Sequence, residues 1–313
     1  MSRRGRGRRP SPGADGGRLL VVATPLGNLG DVTLRAAEAL RAAALVVCED
    51  TRRTRALLTH LGISPPTLSC HKFNEASRIA RILSVLAGGG VVALVSDAGT
   101  PAISDPGARL VAAAHEAGHR VEPLPGPSAP AAALSISGFE AGGFLFAGYP
   151  PARRFARRRF LRALLAAERA RSHEDPGIPP WPIVLFETPH RIEACLEDLA
   201  ELAGARRVLI AREMTKLHEE VRRGTLGERA ALLRPGGGRG EYTLVVEGAA
   251  AGAARAPASG GPLDIAAAYR GMIASGMDRR EAMRQLARET GRRRREIYDA
   301  VAGASGGGGG EGS

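Results

Sequence analysis

Three turns rich in glycine and proline each follow a short apolar run. They are Thr24–Gly30 after Leu19–Ala23, Asp97–Gly107 after Val91–Val95, and Pro125–Ser128 after Val121–Leu124. Glycine lets the backbone approach a ligand closely, and proline stiffens the path of the chain. Ligands of open parallel sheets bind at the carboxyl ends of the strands. Three such turns at strand ends therefore predict one pocket lined largely by backbone. Two further residues stand out by type: of the 44 basic residues all are arginine except Lys72 and Lys216. An ammonium shifts its pKa readily on burial whereas a guanidinium stays protonated, so both lysines are site candidates.

Other chemistries lack their residues. There is no GxGxxG fingerprint, no GxxxxGK[ST] loop and no HExxH helix, so a dinucleotide site, a P-loop and a zincin centre are not expected. His71, His190 and His218 fall in different units without ligand spacing, and no metal is expected. Ser104 and Ser128 lack a nucleophile-elbow context. What remains is group transfer from a bound donor.

The elements that must position these turns follow from hydrophobic patterning. Strands are predicted at Leu19–Ala23, Ala44–Cys48, Val91–Val95 and Val121–Leu124, and helices at Thr33–Ala43, Thr51–Leu61, Ser77–Ala87 and Leu110–Ala117. This alternation predicts an α/β domain with a largely parallel sheet. A second α/β unit is predicted from strands at Gly143–Ala147, Ile183–Phe186, Val208–Ala211 and Tyr242–Glu247. Its helices are expected at Arg153–Arg169 and His190–Leu202, with a loop over 172–182. The last unit, 262–303, reads as three short helices, with Asp278 and Glu281 forming a capping box.

The whole is a two-domain α/β chain: an N-terminal domain over 18–130, a C-terminal domain over 131–248, a linker over 249–261 and a helical, RNA-binding-like module over 262–303. Residues 1–17 read as a disordered basic leader and 304–313 as a disordered glycine-rich tail. The leader has no apolar core, so it is not a secretory signal. No apolar run approaches the roughly 18 residues of a membrane span. Three scattered cysteines, Cys48, Cys70 and Cys195, suit a reducing cytoplasm better than a disulfide framework. The net charge of +12 is concentrated in residues 1–18, 153–171 and 262–303, while the body is mildly acidic. Basic appendages on an acidic body suit a polyanion gripped from outside.

Seven strings carry a resemblance. They are VATPLGNLGDVTLRA (22–36), CEDTRRT (48–54), HKFNE (71–75), LVSDAGTPAISDPG (94–107), PLPGPSA (123–129), FETPHR (186–191) and AREMTKLHEE (211–220). In content and order they resemble the ribosomal-RNA methyltransferases of the tetrapyrrole methylase superfamily, over about residues 18–303. The resemblance implies a two-domain tetrapyrrole-methylase-like fold, with S-adenosyl-L-methionine between the domains, and a homodimer. It implies methylation of the 2′-hydroxyl of a cytidine in the decoding region of 16S rRNA in the small ribosomal subunit. Matching motif by motif, the donor pocket would use Pro25 and Gly27, then Asp97, Ala98, Gly99 and Thr100, then Ser128 and Ala129, with Phe186 and Pro189 from the second domain. Residues 153–182, unusually rich in arginine and proline, and the alanine-rich linker depart from the pattern.

A ribose hydroxyl is a poor nucleophile and gains from a base or a charge that stabilises developing alkoxide. The polar groups of these strings are Glu49, Asp50, Arg52, Lys72, Asn74, Glu187, Arg191, Glu213 and Lys216. Asp50, Glu213 and Lys216 are the expected catalytic residues. Arg52, Lys72, Asn74 and Arg191 are expected to hold RNA. Two other functions fit the same residues less well: a precorrin C-methyltransferase, and a ribosome assembly factor without activity.

Overall fold

The first lobe forms because, of its five strands, the three central ones are almost wholly apolar and only the two at the edges mix in polar residues. In the computed structural model the five are β1 (Arg18–Val22), β2 (Leu45–Cys48), β3 (Thr67–Ser69), β4 (Val91–Val95) and β5 (Arg120–Leu124). Such runs suit a parallel sheet covered on both faces. Helices α1 (Leu34–Ala42) and α2 (Thr51–His60) accompany one apolar cluster, around Val22, Leu40, Val46 and Val95. Helices α3 (Glu75–Ala87) and α4 (Ala108–Glu116) accompany the other, around Leu19, Val47, Ile82 and Leu110. All pairings are parallel, in the order β3-β2-β4-β1-β5. The structure describes residues 16–71, 74–174, 181–204, 206–233, 240–249, 265–274, 277–290 and 293–303. Lys72 and nearly all of the expected leader, linker and tail lie outside these.

Helix α5 (Ala129–Ser135) leads into the second lobe, where Ala133 packs with Val184, Leu209 and Val245. Its strands are β6 (Leu145–Phe146), β7 (Ile183–Glu187), β8 (Arg207–Arg212), β9 (Glu220–Thr225) and β10 (Tyr242–Val246). They lie in the order β6-β7-β10-β8-β9. Only β6 and β7 run parallel; the other three pairings are antiparallel. The second unit is thus not the repeat of the first that its strand–helix alternation suggests. The reason is local: β8 reverses through residues 213–219 straight into β9, with no crossover helix. Strand β9 (EVRRGT) escapes hydrophobic patterning because it is a polar edge strand.

Two helices cover this sheet, α6 (Arg154–Glu174) and α7 (Ile192–Ala203). Helix α6 runs past the expected end into the stretch read as loop. Its arginines are not simply a solvated face. Arg157 is 4% exposed and its Nη2 lies 2.8 Å from a carboxylate oxygen of Asp198, itself 1% exposed. Arg154 and Arg158 converge on the same carboxylate at 3.5 and 3.1 Å, and Glu168 lower on the helix pairs with Arg206 at 3.0 Å. Much of the helix's charge is neutralised inside the fold. After the short helix α8 (Arg229–Leu232) and β10, the chain forms a three-helix module of α9 (Ile265–Ala274), α10 (Arg279–Thr290) and α11 (Arg294–Gly303). Ile265, Leu286 and Ile297 form the module's core. Asp278 caps α10 by accepting from the amides of Arg280 and Glu281 at 3.0 and 3.3 Å.

Removing one partner of a buried ion pair strands the other charge. Asp198→Ala is therefore expected to lower unfolding stability by about 3–5 kcal/mol, read by denaturant melts. A loss under about 1 kcal/mol would show that Arg157 finds water instead.

Candidate active site

Strands β4, β1 and β5 are neighbours, so the three turns leave the sheet side by side. They are also tied to one another. Thr24 and Gly99 exchange backbone hydrogen bonds at 2.9 and 3.0 Å. The buried Thr24 hydroxyl donates to the Ser96 carbonyl at 3.1 Å, and the Thr100 hydroxyl to the Pro127 carbonyl at 3.2 Å. Gly99 sits at φ 78°, and a Cβ there would stand 3.1 Å from a Leu26 methyl. Glycine is required by both the dihedral and the contact.

These turns form one wall of a cleft of about 840 Å³, open solvent at its mouth included. From the first lobe come Leu26, Arg53, Asp97–Thr100, Ile103–Asp105 and Ser128–Pro130. The second lobe adds Tyr149, Phe186, Glu213, Met214, Lys216 and Glu241–Thr243. Phe186 is fixed edge-on to Phe146 and tilted against Tyr149, with centroids 5.0 and 5.4 Å away. The lobes touch where the Asn28 amide donates to the Thr215 hydroxyl at 3.1 Å. Beside it, the stem of Lys216 fills the space a Gly27 side chain would occupy: a Cβ would lie 2.2 Å from Lys216 Cγ.

Among the described residues, the non-glycine positions at positive φ are Ala102, Ser104, Glu213 and Thr215, at 50–65°. All four belong to two turns that line the cleft. Such strain persists only where surrounding structure holds it, and it gathers at functional sites.

The cleft is acidic. Asp97, Asp105, Glu213 and Glu241 line it against Arg53 and Lys216. Lys216 Nζ lies 2.8 Å from Glu213 and 3.7 Å from Glu241. Burial would raise the Glu213 carboxyl, but Lys216 and the Glu241 amide at 3.0 Å outweigh it and hold the group low. Asp105 differs. Burial, then the charges of Glu49, Asp97 and Glu241, push it up to about 7. Burial with Glu241 and Asp105 also raises the Tyr149 phenol.

Of the residues expected from sequence, Asp97, Ala98, Gly99, Thr100, Ser128, Ala129, Phe186, Glu213 and Lys216 meet in this cleft. Pro25, Gly27 and Pro189 do not line it; Pro25 and Gly27 flank Leu26, which does. Asp50 lies outside it: the side chain accepts from the Arg52 amide at the head of α2 and pairs with the Arg52 guanidinium at 2.8 Å. These bonds hold it at about 2. Its amide, not its carboxylate, serves the cleft, donating to Asp97 at 3.1 Å. Asn74 closes the turn before α3, accepting from the His71 amide at 2.7 Å. Arg191 pairs with the buried Glu187 at 2.9 Å and also donates to the Pro150 carbonyl. Sequence reasoning passed over Asp105, Tyr149, Glu241 and Arg53 as site residues. Asp105 was legible in principle, inside the second turn, whereas Glu241 and Tyr149 carry no local signal.

A family model described as Tetrapyrrole (Corrin/Porphyrin) Methylases matches residues 18–230. Ribosomal RNA small subunit methyltransferase I of Synechocystis sp. is 42% identical over 283 residues, 90% of this chain and 96% of that one. The protein of the same name from Mycobacterium tuberculosis is 44% identical over 289 residues, 91% of this chain and 94% of that one. Two solved structures share the fold. One is a cobalt precorrin-4 methyltransferase of cobalamin biosynthesis (TM-score 0.54, 16% identity, covering 74% of this chain and 94% of that one). The other is uroporphyrin-III C-methyltransferase from Thermus thermophilus in complex with S-adenosylhomocysteine (TM-score 0.51, 18% identity, covering 74% and 97%).

A carboxyl whose folded pKa is about 7, raised from 3.8, lets the unfolded chain ionise first, so folding loses stability as pH rises between those values. Asp105→Asn removes that loss. The variant is expected to melt at the wild-type temperature near pH 4 and above it at pH 8. Equal melting temperatures at pH 8 would mean that Asp105 titrates normally.

Proposed function

The chain belongs to the tetrapyrrole (corrin/porphyrin) methylase family, and we propose that it transfers a methyl group from S-adenosyl-L-methionine to the 2′-hydroxyl of a cytidine ribose in the decoding region of 16S rRNA. The observation that carries this reading is a contrast of charge. The chain as a whole is +12, yet its cleft sets four carboxylates against two cations. A polyanion belongs on the basic exterior, and a cationic sulfonium and ammonium belong in the acidic cleft. The relatives named as small-subunit rRNA methyltransferases cover nearly the whole chain, which supports the same substrate class.

The residues of the cleft fit the donor. Asp97–Thr100, Ser128, Ala129 and Phe186 would hold it, the first through backbone that Gly99 opens, with Pro25 and Gly27 shaping the turn behind Leu26 and Pro189 following Phe186's strand. When bound, S-adenosylmethionine supplies a methyl group already activated by its sulfonium. The protein's task is positioning and handling the hydroxyl proton. Lys216, oriented by Glu213 and Glu241, would stabilise negative charge growing on the ribose oxygen. Arg52, 87% exposed at its side chain, would meet phosphate near the mouth. Asn74 and Arg191 would act through the turns they brace. A homodimer in the cytoplasm, acting on the small ribosomal subunit, completes the proposal. No described helix is long and apolar enough to cross a membrane.

The C-terminal module supplies a second contact with RNA. Arg279, Arg280, Arg294 and Arg295 line a groove with Tyr269 and Tyr298, the latter 64% exposed. Guanidinium groups at the first turns of α10 and α11 oppose the helix dipoles, a cost that phosphate would relieve.

Two measurements test the reading. Titration calorimetry should show S-adenosylmethionine binding, and ribose methylation mapped on 16S rRNA should disappear in cells lacking the gene and return with it. Absence of donor binding would favour an assembly factor, and tritiated methyl transfer to a precorrin but not to small subunits would favour tetrapyrrole chemistry. Replacing the four groove arginines by alanine should lower the slope of log affinity against log salt by about 2–3, at roughly 0.7 per single-strand phosphate contact. An unchanged slope would remove the module from the RNA interface.

A further inference from the structure

We propose that the Asp105 carboxylate, carried into the cleft on the strained turn 102–105 with no cation among the described residues paired to it, accepts the proton of the substrate hydroxyl. This rests on the reading that the cleft methylates a ribose hydroxyl.

Four carboxylates line the cleft, and three of them are engaged. Asp97 accepts from the Asp50 amide at 3.1 Å and lies 3.5 Å from the Arg53 guanidinium. Glu213 accepts from Lys216 at 2.8 Å and from the Glu241 amide at 3.0 Å. Glu241 shares Lys216 at 3.7 Å. Among the described residues, none donates a hydrogen bond or forms an ion pair to the Asp105 side chain. A carboxylate already holding donors is a weak base. One without them keeps its lone pairs for an incoming proton.

The backbone is shaped to keep Asp105 where it is. Ala102 and Ser104 take φ of 65° and 63°, costly for residues with a Cβ. The Ser104 hydroxyl packs so closely over Gly148 that a Cβ there would lie 2.8 Å away, and Gly148 itself sits at φ 61°. That contact brings Tyr149 to the cleft wall that carries Asp105, and the Asp105 charge helps to raise the Tyr149 phenol. Among the described residues, the charged groups facing Asp105 are acidic or already paired. Glu49 and Asp97 approach from the ends of β2 and β4, Glu241 from the head of β10, and Tyr149 from beyond β6. Of the cations in the lining, Arg53 is on Asp97, and Lys216 is on Glu213 and Glu241. The result is a carboxylate of near-neutral proton affinity in a protein cleft, the property a general base needs.

The step balances. The ribose O–H proton passes to Asp105 as the oxygen bonds the methyl carbon, and the broken C–S bond leaves its electron pair on sulfur as a neutral thioether. Asp105 then returns its proton to solvent. The donor's positive charge favours the ionised form of Asp105, so donor binding near neutral pH expels a proton and arms the base.

Asp105→Asn and Asp105→Glu test the assignment. Calorimetry in two buffers of different ionisation heat reads proton release on donor binding, and single-turnover transfer to small subunits reads the rate across pH. Wild type should release protons near pH 7, and its rate should rise with pH to a plateau. Asp105→Asn should still bind donor, weaker by no more than about tenfold through loss of the coupled charge, release no proton and transfer methyl about 10²–10⁴-fold more slowly. Asp105→Glu should recover part of the rate with a displaced pH midpoint. An Asp105→Asn rate and pH profile like wild type would overturn the proposal. So would loss of donor binding in both variants, which would make Asp105 a donor ligand. A wild type that binds donor yet methylates no small-subunit RNA would instead sink the functional reading, and this assignment with it.

Discussion

Everything at the cleft depends on three strands ending together. Because β4, β1 and β5 are adjacent and parallel, their carboxyl ends deliver three stiff turns to one edge. The Thr24–Gly99 backbone pair ties the first turn to the second, and the Thr100 hydroxyl ties the second to the third. Parallel pairing needs both faces covered, and the apolar runs that permit the covering also place the turns. The wall is therefore built of backbone with few free torsions, so little freedom remains to be lost when a ligand binds.

The opposite wall is made differently. An antiparallel sheet brings β7, β8 and β10 together and leaves their connecting residues, Glu213–Lys216 and Glu241, at the cleft. Two specific contacts join the lobes at this point: the Asn28 amide meets the Thr215 hydroxyl, and the Lys216 stem lies where Gly27 lacks a side chain. Lys216 thus joins both lobes while its ammonium is held by two carboxylates of its own side. The strained turns at Ala102–Ser104 and Glu213–Thr215 put Asp105 and Lys216 on elements that cannot easily relax away.

Charge is partitioned by depth. Arginine counts alone make α6 the most basic element of the body, yet Asp198, Glu201, Glu168 and Arg206 tie much of it into an internal network. Among the described residues, the arginines of the C-terminal groove enter no such network, and the cleft runs acidic. The chain therefore presents its positive charge where a polyanion can reach it and withholds it from the place where a sulfonium would sit.

Residue patterning alone determined the parallel lobe, the three turns and the Asp278 cap, because each follows from runs of neighbouring residues: apolar strands, glycine and proline at their ends, a carboxylate before exposed amides. The motif strings likewise marked Asp97–Thr100, Ser128, Ala129, Phe186, Glu213 and Lys216, which share the cleft. Tertiary structure alone decided the largely antiparallel second sheet, since the polar strand β9 that follows the short reversal after β8 carries no hydrophobic pattern to mark it as a strand. It alone showed Asp50 committed to Arg52 and Arg157 buried on Asp198, because a charge's role is set by what folds against it. And it alone brought Asp105 beside Tyr149 and Glu241, residues 44 and 136 positions apart from it in the chain. Proton affinity is a property of that enclosure, of low water and repeated negative charge, and no single stretch of sequence contains it.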